Sequence, residues 1–185
     1  MLTIRPTAIP AVKILVPRAF SDSRGNFREV YNRKRFVEHG ITQDFVQDNQ
    51  SWSAAKGTVR GLHFQRPPMA QDKLVWVPHG RIFDVAVDLR RSSPTYGRWV
   101  AEELSAENGR QLLIPAGFAH GFCTLERDTY VFYKVTSYYS SQDDLGVAWD
   151  DPDLSIDWPV NRKEAVLSDK DAKLPLFTSL PNYFE

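Results

Sequence analysis

Histidine, lysine and tyrosine stand in this sequence at places where proton chemistry could be done. His63 lies between apolar neighbours in Arg60-Gly61-Leu62-His63-Phe64-Gln65. Lys73 sits in an apolar run, His120 closes Pro115-Ala116-Gly117-Phe118-Ala119-His120, and Tyr133 falls on a strand-like segment. An imidazole exchanges its proton near neutrality, and a fixed ammonium stabilises negative charge as it develops. Converging in one cavity, these groups would move a proton on and off a carbon next to a ketone. Each also has a plainer reading alone: a hydrogen-bonded core histidine, a solvated lysine at a strand start, a half-buried strand aromatic.

The elements that must position them read as strands. Prolines and glycines punctuate the chain about every ten residues, with Val, Ile, Phe, Tyr and Trp between them, which is the spacing of an all-β sandwich or barrel. Strands are expected over 9–16, 27–31, 45–49, 73–77, 82–89, 99–104, 111–114 and 129–139. A turn is expected over 20–25. Asn32 caps a short helix through Phe36 and Val37, ended by Gly40, and Arg33-Lys34-Arg35 reads as its solvated face. Asn108-Gly109 signals a hairpin between 99–104 and 111–114. In 82–89, alternation puts Phe83, Val85, Val87 and Leu89 on one buried face. Ile82, Asp84, Ala86 and Asp88 share the other, so Asp84 points to solvent or into a polar cavity. In 129–139, Val131, Tyr133 and Val135 share a face. Trp149 and Trp158 anchor an irregular segment onto the sheet, and a short terminal helix is expected over 168–173.

The 185 residues read as a single domain, 1–185, with enough chain to bury a core. Lys and Arg number 23 and so do Asp and Glu, a balance that argues against a nucleic-acid partner. It leaves room for a small phosphorylated ligand. The single cysteine, Cys123, excludes an internal disulfide framework and a multi-cysteine zinc site, and its apolar setting reads as a buried, inert thiol. Arg5, Lys13 and Pro6, Pro10 and Pro17 interrupt the N-terminal stretch, unlike a signal peptide. Nothing approaches a membrane-spanning run. The expectation is a soluble, cytoplasmic protein.

Gly109, Pro115, Gly117 and His120 resemble the second half of the cupin outline, a small β-barrel family. Metal-binding cupins carry two further histidines and a carboxylate in the first half. Here Gly61 stands where the earlier histidine of a pair would sit. Of four histidines in all, His39 and His79 lie in turn-like contexts. No metal site and no cofactor are expected.

The flanks make the resemblance specific. Phe20-Ser21-Asp22 with Arg24-Gly25, Phe27 and Glu29 comes first, then Phe45-Val46-Gln47-Asp48-Asn49, then the His63 motif. Gln71 with Lys73-Leu74-Val75, Phe83 through Arg90, Ile114 through Phe122, Tyr133-Lys134, and Trp149 through Pro159 follow in order. Together they resemble the dTDP-4-dehydrorhamnose 3,5-epimerase family over nearly the whole chain. That resemblance implies a metal-free cupin jelly roll, all-β with a few short helices, forming a homodimer. Its substrate would be dTDP-4-dehydro-6-deoxy-D-glucose, on the way to dTDP-L-rhamnose.

By the same resemblance His63 is the base and Asp171 its orienting carboxylate; the plainer reading of Asp171 is a capping pattern with Ser168. Tyr133 is the acid on the opposite face, and Lys73 stabilises the enolate at the C4 oxygen. Asp84 is a candidate partner for Lys73. Arg24 and Arg60 match pyrophosphate contacts, a task suited to bidentate guanidinium groups. Glu29, Gln47 and Asn49 match nucleotide contacts, and His120 matches a position near the sugar. Tyr138 could stack on the base. Phe27 remains as a second aromatic, although Asn26 stands where many relatives have one. Asp144 stands near a glutamate of relatives, and Lys170 joins the substrate-binding set.

Three other readings stay open at this level. Enzymes that invert one carbon only, and ketoisomerases, share the fold and the base; Tyr133 favours an epimerase without fixing how many carbons invert. A silent nucleotide-sugar-binding cupin is the reading that the set His63, Asp171, Tyr133 and Lys73 argues against. A metal-dependent cupin oxygenase would need ligands not seen in the pattern.

Overall fold

Two antiparallel sheets face one another, and the chain passes between them repeatedly. The structure, a computed structural model, describes residues 2–185. The first sheet holds β1 (Leu2–Pro6), β2 (Lys13–Pro17), β5 (Gln47–Ser53), β7 (Lys73–His79), β10 (Gln111–Ile114) and β12 (Thr129–Val135), in the order β1-β2-β10-β7-β12-β5. The second holds β6 (Val59–Gln65), β8 (Arg81–Asp88), β9 (Trp99–Ser105), β11 (Phe118–Thr124) and β13 (Asp144–Gly146), in the order β13-β6-β11-β8-β9. From β10 onward each strand lies in the sheet opposite its predecessor, the alternation of a jelly roll. A two-stranded ribbon, β3 (Ala19–Asp22) and β4 (Gly25–Arg28), stands apart from both sheets.

The core lies between the sheets. Val75, Val77, Leu112, Ile114 and Val131 from the first sheet meet Ile82, Ala86, Val100 and Phe122 from the second. The helix α1 (Arg33–Glu38) forms as expected, with Asn32 Oδ1 accepting from the Arg35 backbone N–H. It lays Phe36 onto Leu2, Leu15, Leu74 and Leu113 on the outside of the first sheet.

Several local expectations are corrected. Residues 9–12 form a turn, so the early strand begins at Lys13, and β1 precedes it unannounced. The expected turn over 20–25 is a hairpin whose turn is Ser23-Arg24. The extended run expected to Tyr31 ends at Arg28. The fifth strand begins at Gln47, and the one expected to reach Tyr139 stops at Val135. Asn108-Gly109 does make a turn, but β9 pairs with β8 while β10 pairs with β2 and β7, so it joins two sheets rather than a hairpin.

Both faces of β8 are buried: the apolar one as expected, and the one that carries Asp84 as well, which decides against solvent for that carboxylate. Ile82, Asp84 and Ala86 face the inter-sheet core. Val85, Val87 and Leu89 face outward, where Leu154, Ile156, Trp158, Phe177, Leu180 and Phe184 cover them. Burying each aliphatic side chain contributes roughly 1.5–3 kcal/mol, enough to hold an irregular tail that has little strand pairing of its own. Trp149 and Trp158 pack against Val59, Phe83 and Cys123 of the second sheet, anchoring that tail as expected, and Trp99 Nε1 adds a hydrogen bond to Leu154 O at 3.0 Å. This wrapping carries residues 168–173 back to the mouth of the inter-sheet space. There the short helix is a single 3-10 turn, Asp171–Lys173. Cys123 is buried, and burial pushes its thiol up to about 11.

Candidate active site

A cavity of about 240 Å³ opens between the sheets. The second sheet supplies Arg60 and His63 from β6 and His120 and Phe122 from β11. The first sheet supplies Ser51 from β5, Lys73 from β7 and Tyr133 from β12. The C-terminal wrap closes the rim with Ser168, Lys170 and Asp171. Strand alternation sets the placement: Leu62 and Phe64 go to the outer core while His63 between them faces in.

Gly61 makes the site's floor possible. Its φ is +132°, and a Cβ there would lie 2.5 Å from Gly121 Cα. Only glycine combines that backbone with that approach. The contact lets β6 and β11 close together, with His63 directly opposite His120 in the register. It also shuts the position from which a cupin would offer a second histidine. Among the described residues no group of three or more His, Cys, Asp or Glu side chains could hold a metal ion.

His63 and Asp171 form a close pair, Nε2 to Oδ1 at 2.6 Å. Asp171 is nearly buried, while His63 stays partly open to the cavity. Burial raises the Asp171 carboxyl, but the His63 hydrogen bond and charge, the Gly61 backbone N–H and Ser168 outweigh it and hold the pKa below the ordinary value. An ionised carboxylate only accepts. Nε2 therefore carries the hydrogen, and Nδ1 keeps the lone pair. The capping pattern is present too, since the Asp171 backbone N–H donates to Ser168 Oγ at 3.1 Å. Cap and dyad are the same turn: Ser168 fixes the backbone from which Asp171 reaches His63.

Lys73 Nζ donates to the His63 backbone oxygen at 3.3 Å. Burial lowers its pKa to about 8, against the opposing charges of Asp144 and Asp84. Tyr133 is pushed up, by burial first and then by Asp144, so its phenol stays protonated. Asp84 does not bond Lys73 as expected. Its Oδ1 accepts from His120 Nε2 at 2.8 Å, and both groups are buried. Burial lowers the His120 pKa, with Asp84 opposing and Lys73 adding to the fall, which favours the neutral ring.

Arg60 is anchored on β5, with Nε donating to Ser53 Oγ at 3.1 Å and Nη2 to Trp52 O at 2.9 Å. Gln47 and Asn49 lie on the inward face of the same strand, joined by Gln47 Nε2 donating to Asn49 Oδ1. Lys170 is on the cavity rim and donates to Asp144 Oδ2, which also accepts from Tyr139 Oη at 3.0 Å. Tyr138 is largely exposed beside them.

Arg24, Phe27 and Glu29 are not brought to this cavity. Arg24 is at the tip of the β3–β4 ribbon, 88% exposed and paired with Asp22. Phe27 is exposed on the same ribbon, and Glu29 pairs with Arg35 at 3.1 Å. The cavity in turn includes residues the sequence reading passed over: Ser51, Phe122 and Ser168. The first two were within reach, since Ser51 continues the period-two row of Gln47 and Asn49, and Phe122 continues that of His120.

The family model described as dTDP-4-dehydrorhamnose 3,5-epimerase matches residues 6–179. The protein of that name from Sinorhizobium fredii is 53% identical over 178 residues, covering 96% of this chain and 91% of its own. A crystal structure of the Bacillus anthracis dTDP-4-dehydrorhamnose 3,5-epimerase with TDP and pyrophosphate bound superposes with a TM-score of 0.92 at 53% identity, covering 95% of this chain and 99% of that one. A Legionella pneumophila dTDP-6-deoxy-D-glucose-3,5-epimerase in complex with dTDP-4-keto-L-rhamnose gives a TM-score of 0.93 at 46% identity, covering 98% and 95%. The likeness runs through both sheets and the wrap that carries Asp171, and the chain belongs to the dTDP-4-dehydrorhamnose 3,5-epimerase family.

Proposed function

We propose that this isomerase epimerises C3 and C5 of dTDP-4-dehydro-6-deoxy-D-glucose without a cofactor, giving dTDP-4-dehydro-L-rhamnose for dTDP-L-rhamnose synthesis. One observation carries the reading. The His63–Asp171 pair and Tyr133 stand on opposite sheets across one cavity, with Lys73 also reaching it. A sugar between the sheets meets a base on one face and an acid on the other.

His63 Nδ1 takes the proton from a carbon next to the C4 ketone, and the C–H electron pair moves into the enolate. Lys73 holds the charge that develops on O4. Tyr133 delivers a proton to the opposite face of the same carbon and recovers its own from solvent. The imidazolium of His63, balanced by Asp171, returns its proton to solvent. C3 and C5 both flank the ketone, so one set of groups serves both. The deciding experiment is NMR in deuterated water with this substrate and no added metal. Deuterium at both C3 and C5 is expected. Deuterium at one carbon only means a mono-epimerase, and none from folded protein overturns the reading.

Lys73 gives this mechanism a pH signature. Its charged form is the one below about pH 8. The kcat/KM profile, which reports the free enzyme, is expected to fall as pH rises through about 8. Tyr133, raised above its ordinary value, titrates well beyond that limb. In Lys73→Met the alkaline limb near pH 8 should vanish and the rate drop by about 10²–10³-fold. A limb that survives in the variant belongs to another group.

The proposed active form is a homodimer working in the cytoplasm, each copy a single domain of residues 1–185. No helix among the described residues is long and apolar enough to cross a membrane. Two features support the dimer. The β3–β4 ribbon carries Arg24 and Phe27 outward, away from its own chain's cavity. The outer face of the first sheet leaves Trp52 half exposed near the tilted aromatic pair Trp76 and Phe132. A second copy would cover the aromatics and bring an Arg24 to the diphosphate. Arg24→Ala is then expected to raise KM about tenfold or more with kcat nearly unchanged, the loss of a charge-assisted contact made equally in ground and transition states. Sedimentation should give twice the chain mass. An unchanged KM removes Arg24 from the site.

A further inference from the structure

We infer that Ser51 is a sugar-recognition residue: its hydroxyl hydrogen-bonds the C2–C3 hydroxyl edge of the 4-keto sugar. This rests on the function proposed above and adds a contact that it lacks.

Four buried side-chain atoms among the described residues have no hydrogen-bond partner: Gln43 Oε1, Ser51 Oγ, Asp84 Oδ2 and Gln111 Oε1. Of these residues only Ser51 lines the cavity. A buried polar atom left unpaired in an otherwise satisfied wall marks the place where a ligand supplies the partner. The row it belongs to sharpens the point. Gln47, Asn49, Ser51 and Ser53 follow one another at period two along β5. Gln47 and Asn49 bond each other, and Ser53 accepts from Arg60. Ser51 is the one member of the row whose side chain makes no hydrogen bond.

Its position selects the sugar as the partner. Ser51 is directly opposite Val131 in the ladder, and Tyr133 is opposite Asn49, so Ser51 and Tyr133 are diagonal neighbours on one face. On its other side, Ser53 holds the guanidinium of Arg60, the candidate diphosphate contact. Ser51 thus stands between the diphosphate end and the proton donor. The C6 methyl offers no hydrogen bond, and the ketone oxygen is left to Lys73. What remains on the ring for a group that both donates and accepts is the pair of hydroxyls at C2 and C3.

The test is Ser51→Ala beside the wild type, with thermal melts and the same NMR assay on the normal substrate and its 2-deoxy and 3-deoxy analogues. The variant should melt no lower than wild type, because no contact within the protein is lost. Its kcat/KM should fall by about tenfold or more on the normal substrate. On one deoxy analogue, variant and wild type should be equal, because the partner hydroxyl is already gone. A variant within twofold of wild type on the normal substrate overturns the assignment. So does a loss of equal size on all three substrates, or one that tracks a lowered melting point, since either means a structural role. A wild type that processes none of the substrates overturns the proposed function and this inference with it.

Discussion

Replacing His63 by alanine is expected to abolish deuterium uptake at C3 and at C5 alike, with kcat/KM lower by about 10³-fold or more. Both carbons depend on one base, so the two exchange rates should fall together; a variant that still exchanges one of them has a second base. The fold should survive. Asp171 keeps the Gly61 backbone N–H and the Ser168 cap when the imidazole is gone. The companion variant Asp171→Asn separates orientation from mere presence. Asparagine fills the same space and still reaches Nε2, but its amide can donate as well as accept. An amide N–H aimed at Nε2 forces the hydrogen to Nδ1, the atom that must be basic. The carboxylate as it stands, held below its ordinary pKa, enforces the productive tautomer at neutral pH. A loss of about 10²–10⁴-fold in kcat, with substrate affinity nearly kept, is the expected mark of the wrong tautomer. An Asp171→Asn enzyme with full turnover would reduce Asp171 to its capping role.

Much of this constellation was legible because strands encode direction. His63 alternates with Leu62 and Phe64, and Tyr133 shares a face with Val131 and Val135, so period two alone aims both inward. Lys73 and His120 follow from the same rule once the sheets face each other, whereas Arg60, three residues from His63, reaches the cavity only because the pairing of β6 with β11 shifts register between them. What alternation does not carry is the neighbour across space. Asp84 was visibly on the polar side of its strand. Its choice of His120 over Lys73 depends on β11 lying directly beside β8, a pairing between residues 36 positions apart. The outer face of β8 was expected to be buried and is, but what covers it was not legible, for a related reason. It is buried by residues 154–184, an irregular segment whose apolar residues have no period to announce a packing face. The hairpin expected at Asn108-Gly109 failed because turn chemistry fixes a reversal and says nothing of which strands pair after it. Arg24, Phe27 and Glu29 were singled out by family likeness alone, and within one chain they remain on an exposed ribbon and its flank.

Tyr133→Phe should separate exchange from inversion. The substitution removes one oxygen from a half-buried ring and leaves His63, Asp171 and Lys73 untouched. Proton abstraction and enolate stabilisation continue, so deuterium should still enter from solvent. With no donor on the opposite face, the proton returns from the side it left, through His63. The expected result is exchange with retained configuration, while formation of the inverted product falls by about 10²–10⁴-fold, the usual worth of a positioned general acid. The raised pKa of Tyr133 supports the role, since a phenol kept protonated by burial and by Asp144 is ready to donate at any physiological pH. Two outcomes would revise the site. Unchanged inversion means that water or another group on the first sheet protonates that face. Loss of exchange together with inversion means that the phenol acts before the proton is removed, in binding or in holding the ketone. Either way, comparing deuterium content with configuration in the products, at C3 and at C5 separately, decides whether Tyr133 serves both carbons or only one.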